Sequence, residues 1–111
     1  MRAERALEFV AGYTCMNDVT VRDLQAKDVQ YTRAKGFDSF APLGPCLAVG
    51  LDPSNLRIET RVDGAIKQSS STADMIFSVP ELIEVVTRVM TMLPGDIIST
   101  GTPPGVGPLA V

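Results

Sequence analysis

The chain has 111 residues, a formal charge of −3, 45% hydrophobic residues, and neither histidine nor tryptophan. It carries no Lys or Arg run of the kind phosphates demand and no apolar stretch near the ~20 residues that span a bilayer, which argues against nucleic acid and membrane partners. The absence of histidine excludes Ser-His and Cys-His machinery and histidine metal sites within these residues, so any chemistry rests on carboxylates, Lys, Arg, amides, hydroxyls and a metal.

The length allows one domain at most, expected to bury roughly 65% of its extended-chain surface. With two tyrosines and four phenylalanines, its core is expected to rest on Val, Ile, Leu, Met and Ala. The opening Met1-Arg2-Ala3-Glu4-Arg5 lacks the apolar centre of a signal peptide, and a cytoplasmic location is expected. Cys15 and Cys46 each lie in an apolar run without metal or redox spacing, and both are expected to be buried free thiols.

Residues 3–9 are rich in helix formers and predict a short helix. Residues 10–21 mix Val, Tyr, Thr and Met like a buried strand, with Gly12 marking a bulge or a close backbone approach. Asp18 then falls near the strand's end. In Asn17-Asp18-Val19-Thr20-Val21-Arg22-Asp23-Leu24-Gln25, Asp18 can ligate a hard cation while Arg22 and Gln25 hold the carboxylate and oxygen of an anionic substrate. The same run also reads as a strand ending in a turn, with Asp18 as a helix cap and Arg22 and Asp23 as a solvated pair.

Residues 22–45 lose periodicity and mix charges with Gly and Pro, which is loop chemistry over an unusual length, and Phe37, Phe40 and Leu43 imply that part of it packs down beside a site. Residues 46–51 form a short apolar run that ends in the turn Asp52-Pro53-Ser54-Asn55. Residues 56–62 and 65–70 flank Asp63-Gly64, a strong hairpin signal. Ser78 with Glu81 forms a capping box, and Leu82, Val85, Val86, Val89 and Met90 recur at helical spacing, predicting a core-packing amphipathic helix ended by Leu93-Pro94-Gly95-Asp96. Glu84 and Arg88 read as a solvated pair on its outer side. Residues 97–100 read as a short strand feeding Gly101-Thr102-Pro103-Pro104-Gly105-Val106-Gly107, where glycines allow close ligand approach and Thr102 offers a hydroxyl; a tight structural turn is the alternative there. No Lys-Ser or Lys-Thr pair follows, so this is not a nucleotide loop.

Four motifs in order, the runs Tyr13 to Gln25 and Tyr31 to Pro45, Asp74-Met75-Ile76-Phe77, and the run Pro94 to Gly107, closely resemble the fumarylacetoacetate hydrolase family over nearly the whole chain. That family includes acylpyruvases, oxaloacetate decarboxylases and 2-hydroxyhepta-2,4-diene-1,7-dioate isomerases. The resemblance implies an α+β fold: the β-rich, mixed-sheet roll of the family's catalytic domain with one clear amphipathic helix, here incomplete, so that residues 1–111 form a partial catalytic domain.

It also implies a metal-dependent hydrolase, decarboxylase or isomerase of a small 2-oxo or 2-hydroxy-dienoic acid in aromatic-compound catabolism, working as a dimer or higher homo-oligomer. Asp18 is the implied ligand of Mg²⁺ or Mn²⁺. Arg22 and Gln25 bracket the substrate's carboxylate and oxo groups, Lys35 lies beside the metal and its bound acid as substrate-binding residue and local acid, and Gly101 and Thr102 contact the same ligand. Such cations and donors suit an acid whose enolate develops negative charge.

The sequence departs from the family pattern as well. It has no Glu-x-Glu, the pair that with the Asp completes the family's metal site, and it is expected to begin after that pair and to stop at Pro108-Leu109-Ala110-Val111 before further strands. The family's hydrolytic His–Glu pair cannot be carried over either, whereas decarboxylation and isomerisation need only the metal and donors. The alternative reading is a truncated, inactive fragment acting at most as a binding or assembly module.

Overall fold

The computed structural model describes residues 1–108. Its elements run α1 (Ala3–Ala6), a 3-10 turn (Leu7–Phe9), β1 (Tyr13–Met16), α2 (Arg22–Lys27), α3 (Thr32–Lys35), β2 (Leu43–Ala48), β3 (Arg57–Val62), β4 (Ala65–Ser71) and α4 (Val79–Val89), with further 3-10 turns at Pro53–Asn55 and Thr72–Asp74. The strands pair as two antiparallel ribbons, β1 with β2 and β3 with β4, giving the expected α+β class. The chain divides into two units, Gly12–Val49 and Met1–Ala11 with Gly50–Val111.

In the Gly12–Val49 unit, β1 is much shorter than the strand expected over residues 10–21. After Met16 the Asn17 N–H donates to the Pro42 carbonyl at 3.1 Å and the Val19 N–H returns to the Asn17 carbonyl at 2.9 Å, so the chain turns instead of extending. The close approach expected at Gly12 is present: a Cβ there would lie 2.5 Å from the Ala48 carbonyl oxygen. Tyr13 faces Ala48 and Cys15 faces Gly44, with an irregularity between them. Cys15 and Cys46 are free but exposed, which overturns the expectation of buried thiols. A two-stranded ribbon needs a second layer to bury its residues, and neither thiol is covered by one among the described residues.

Residues 22–45 are not the structureless loop expected from their charge and Gly content. Leu24, Gln25, Ala26 and Lys27 are good helix formers and close α2. Arg33 then grips Asp28 with two nitrogens, at 2.8 and 2.6 Å, tying α3 to the end of α2. That fork holds the Asp28 carboxyl below its ordinary range, chiefly through the hydrogen bond itself. The Val21 N–H donates to the Ala34 carbonyl at 2.9 Å, and Ala34 is fully buried. Phe37 and Phe40 meet at a tilt of 56° with 5.5 Å between ring centroids, so part of the segment does pack down.

In the other unit, the β3–β4 hairpin forms as expected. Asp63 and Gly64 both take positive φ, 49° and 78°, the geometry a two-residue turn needs to follow the strand twist, and Val62 pairs with Ala65. At its open end the Leu56 N–H donates to the Thr72 hydroxyl at 2.7 Å and the Thr72 N–H to the Leu56 carbonyl at 2.9 Å. Asp74 caps the following turn, accepting from the Ser70 hydroxyl at 2.7 Å and the Ser71 N–H at 3.1 Å.

The capping box of α4 is present, the Glu81 carboxylate accepting from both the N–H and the hydroxyl of Ser78 at 2.7 Å. The helix ends at Val89, before the expected stop, and Leu93 and Asp96 close a separate turn. Leu82 and Val86 are half-buried, whereas Val85, Val89 and Met90 are exposed, so the apolar stripe is only partly core-packing. Glu84 and Arg88 pair at 2.5 Å on the outer side as expected. Residues 97–100 form no strand, correcting that expectation, because a strand exists only where a ladder partner is at hand, and among the described residues none pairs with them. Leu109 to Val111, part of the expected stopping point, lie outside the described residues.

Among the described residues only Ala6 and Ala34 are fully buried, so the expected core of larger aliphatic side chains is not closed. The accessible surface is 8642 Å², against about 5,900 Å² for a compact monomer of this mass, so roughly half of the extended-chain surface is removed from water where about 65% was expected. Short ribbons and four-residue helices offer one layer each, and a core needs two.

Candidate functional site

The predicted residues fall into two clusters, one in each unit. In the Gly12–Val49 unit, Asp18 sits in the turn that follows β1. Its carbonyl accepts from the Thr20 hydroxyl at 3.0 Å, and the turn is anchored on one side at Pro42 and on the other at Ala34. Asp18 is not a helix cap: the residue before α2 is Val21, and no side chain caps that helix. Instead the Asp18 carboxylate is paired with the Lys35 ammonium through Oδ2, both side chains remaining partly open to solvent. Lys35 closes α3, which Arg33 and Ala34 lock against α2, so this pair is positioned by backbone and not by chance.

Arg22 opens α2 and Gln25 lies one turn on, and the Arg22 guanidinium donates to Gln25 Oε1 at 2.9 Å. Arg22 therefore bonds to Gln25 and not to Asp23, contrary to the solvated-pair reading. Carboxylate, ammonium, guanidinium and amide are thus carried on consecutive short elements between β1 and β2. Arg22 is exposed and makes a single neutral hydrogen bond through its side chain here, leaving donors for an anionic group.

The second cluster lies in the other unit. Gly101 has φ 103°, and the Thr102 hydroxyl accepts from Gln68 Nε2 at 2.8 Å while the Pro103 carbonyl accepts from the same nitrogen at 2.7 Å. Gly105 lies against β4 so closely that a Cβ there would stand 2.3 Å from the Lys67 carbonyl oxygen. The sequence reading named Gly101 and Thr102 and missed Gln68. The only signal for it was the alternation of β4, which puts Gln68 and Ser70 on the half-buried side.

A divalent cation of the kind the resemblance implies wants several oxygen ligands. Among the described residues no three Asp, Glu, Cys or His side chains form a group able to hold one. Asp18 fits one ligand position, since its carboxylate is accessible and already holds a cation, the Lys35 ammonium. No helix among the described residues is long and apolar enough to cross a membrane.

The chain is 59% identical over 109 residues to the uncharacterized protein MJ1656 of Methanocaldococcus jannaschii, covering 98% of this chain and 46% of that protein. It is 50% identical over 107 residues to the oxaloacetate tautomerase YisK of Bacillus subtilis, covering 94% of this chain and 36% of YisK. Among solved structures, the 5-carboxymethyl-2-hydroxymuconate delta-isomerase of Mycobacterium smegmatis superimposes with a TM-score of 0.95 at 51% identity, over 97% of this chain and 43% of that one. The chain thus spans about half or less of the length of the relatives it matches. The profile of the fumarylacetoacetate (FAA) hydrolase C-terminal family covers residues 1–110, and the chain belongs to that family of enzymes.

Proposed function

We propose that the complete protein isomerises or decarboxylates a small 2-oxo or 2-hydroxy-dienoic acid, with oxaloacetate the first substrate to try. The observation that carries this reading is the placement of Asp18, Lys35, Arg22 and Gln25 on consecutive elements of one unit, in a sequence half-identical to an oxaloacetate tautomerase. The water-activating histidine implied by the resemblance has no counterpart in these residues, so no hydrolytic step is assigned to any of them.

In the proposed isomerisation the enol O–H proton leaves to bulk water and the neighbouring carbon gains a proton; in the proposed decarboxylation the C–C bond to the carboxylate breaks, carbon dioxide leaves, and the resulting enolate carbon takes up the proton. Arg22 pairs with the substrate carboxylate, and Gln25, whose amide oxygen accepts from Arg22, donates through its NH₂ to the oxo oxygen. The Lys35 ammonium offsets the negative charge of the enolate oxygen and serves as the local acid. The family resemblance assigns acid binding to Thr102 and the amides beside Gly101 as well. Asp18 contributes one ligand to Mg²⁺ or Mn²⁺, the other ligands coming from outside these residues, and the ion when bound adds Lewis-acid polarisation of the oxo group. The same reading has the protein act as a cytoplasmic homo-oligomer in catabolism of aromatic compounds.

The test uses the complete protein with Mg²⁺ or Mn²⁺ and oxaloacetate, followed by loss of enol ultraviolet absorbance and by release of carbon dioxide. Arg22→Ala is expected to raise KM for oxaloacetate while metal affinity, measured by calorimetry, stays the same. Absence of turnover of oxaloacetate and of a 2-hydroxy-dienoic acid, or equal losses of metal and acid binding in Arg22→Ala, would overturn the proposal.

A further inference from the structure

Gln68 stands in β4, a sheet strand with no predicted chemistry, yet its side chain reaches the loop that carries Thr102. The Pro103 carbonyl oxygen can only accept, so the Gln68 group 2.7 Å from it must be the NH₂ and not the amide oxygen. That fixes the orientation of the side chain. The same nitrogen lies 2.8 Å from the Thr102 hydroxyl, which an NH₂ can engage only by donating. The Thr102 oxygen is therefore an acceptor toward Gln68, and its own hydrogen is free to be donated elsewhere, as a bound carboxylate or oxo oxygen requires.

A second attachment lies next to the first. Gly105, at φ 106°, comes against the Lys67 carbonyl and the Gln68 Cγ, leaving no room for a side chain. Residues 97–100 form no strand ladder among the described residues, so the loop is not held by a sheet on its leading side. What ties residues 101–105 to the hairpin is the Gln68 amide on either side of the Thr102–Pro103 peptide link and the close backbone approach at Gly105.

We infer that Gln68 is a positioning residue: through two hydrogen bonds it sets the Gly101-Thr102-Pro103 loop and turns the Thr102 hydroxyl into a donor toward the bound oxo acid. This rests on the proposed contact between Thr102 and the substrate, and deepens it. Gln68 itself touches no substrate. Its effect travels only through Thr102, which separates it from a residue that merely stabilises the hairpin.

The experiment uses the complete protein with oxaloacetate as probe and compares Gln68→Met, Gln68→Glu, Thr102→Val and the Gln68→Met/Thr102→Val double variant. Gln68→Met keeps the length and removes both donors, and is expected to raise KM roughly tenfold with little change in kcat. Gln68→Glu is equal in size but has no N–H, so it is expected to fail as a rescue. The double variant is expected to match Thr102→Val within about twofold, because the two substitutions break one path. If Gln68→Met does not fold, Gln68→Glu carries the same comparison. Should Thr102→Val raise KM while Gln68→Met and Gln68→Glu leave it unchanged, or should the two effects multiply in the double variant, the positioning role is wrong. Should Thr102→Val itself leave KM unchanged, the substrate contact of Thr102 is what fails.

Discussion

Gly105→Ala tests the attachment of the Thr102 loop by backbone alone. The added Cβ would lie 2.3 Å from the Lys67 carbonyl oxygen and 3.2 Å from Gln68 Cγ, at a φ of 106° that side chains rarely adopt. The dihedral costs about 1–3 kcal/mol. Moving the loop the ~1 Å needed to clear a carbonyl adds about 1–3 kcal/mol more, as overpacking does elsewhere. We expect a loss of about 3–5 kcal/mol in urea denaturation of the complete protein, a large share of the 5–15 kcal/mol typical of a domain. Two glycines serve as controls. Gly64, at φ 78° with nothing within 4 Å, exposes Ala to strain without a clash and should cost about 1–2 kcal/mol. Gly107 has open space and no positive φ, and its Ala variant should stay within about 0.5 kcal/mol of the parent. Equal losses for Gly105→Ala and Gly64→Ala would refute the close approach to β4.

Asp18→Asn, which removes a ligand and the partner of Lys35, should lower Mg²⁺ or Mn²⁺ affinity by at least roughly tenfold, the loss that even a supporting partner's removal causes at such sites; unchanged affinity in calorimetry would exclude Asp18 from the metal. Acid should weaken the fold: Glu81 is held below its ordinary range by the Ser78 hydroxyl and N–H, and Asp74 by the Ser70 hydroxyl and Ser71 N–H, so the stability they add is present above the ordinary carboxylate range and lost as pH falls through their lowered values. A thermal midpoint that does not fall on acidification, or that falls equally in a Ser70→Ala, Ser78→Ala variant, would contradict this. The 111 residues alone should self-associate in sedimentation and show no metal-dependent turnover, since Val29 is 92% and Ile76 91% exposed and the ribbons have open edges; a clean monomer with tight stoichiometric metal binding would count against it.

The hairpin and the capped α4 were legible in the sequence because their signals are local: Asp63-Gly64 suits the positive φ that a two-residue hairpin turn needs, and Ser78 meets Glu81 three residues on. The order of the four motifs likewise identified the family, a property of sequence that no fold is needed to express. Local signals failed where a residue's fate depends on what folds beside it. Cys15 and Cys46 look buried in their apolar runs but lie on a ribbon without a second layer, and residues 97–100 look like a strand but have no ladder partner among the described residues. Residues 22–35, read as loop for their charges, hold two helices: the helix formers Leu24 to Lys27 close α2, and the Arg33–Asp28 fork ties α3 to its end. The pairings at the heart of the candidate site span longer distances still, 17 residues from Asp18 to Lys35 and 34 from Gln68 to Thr102. No spacing rule encodes such a contact, since it exists only once the turns between the two residues have brought their elements together.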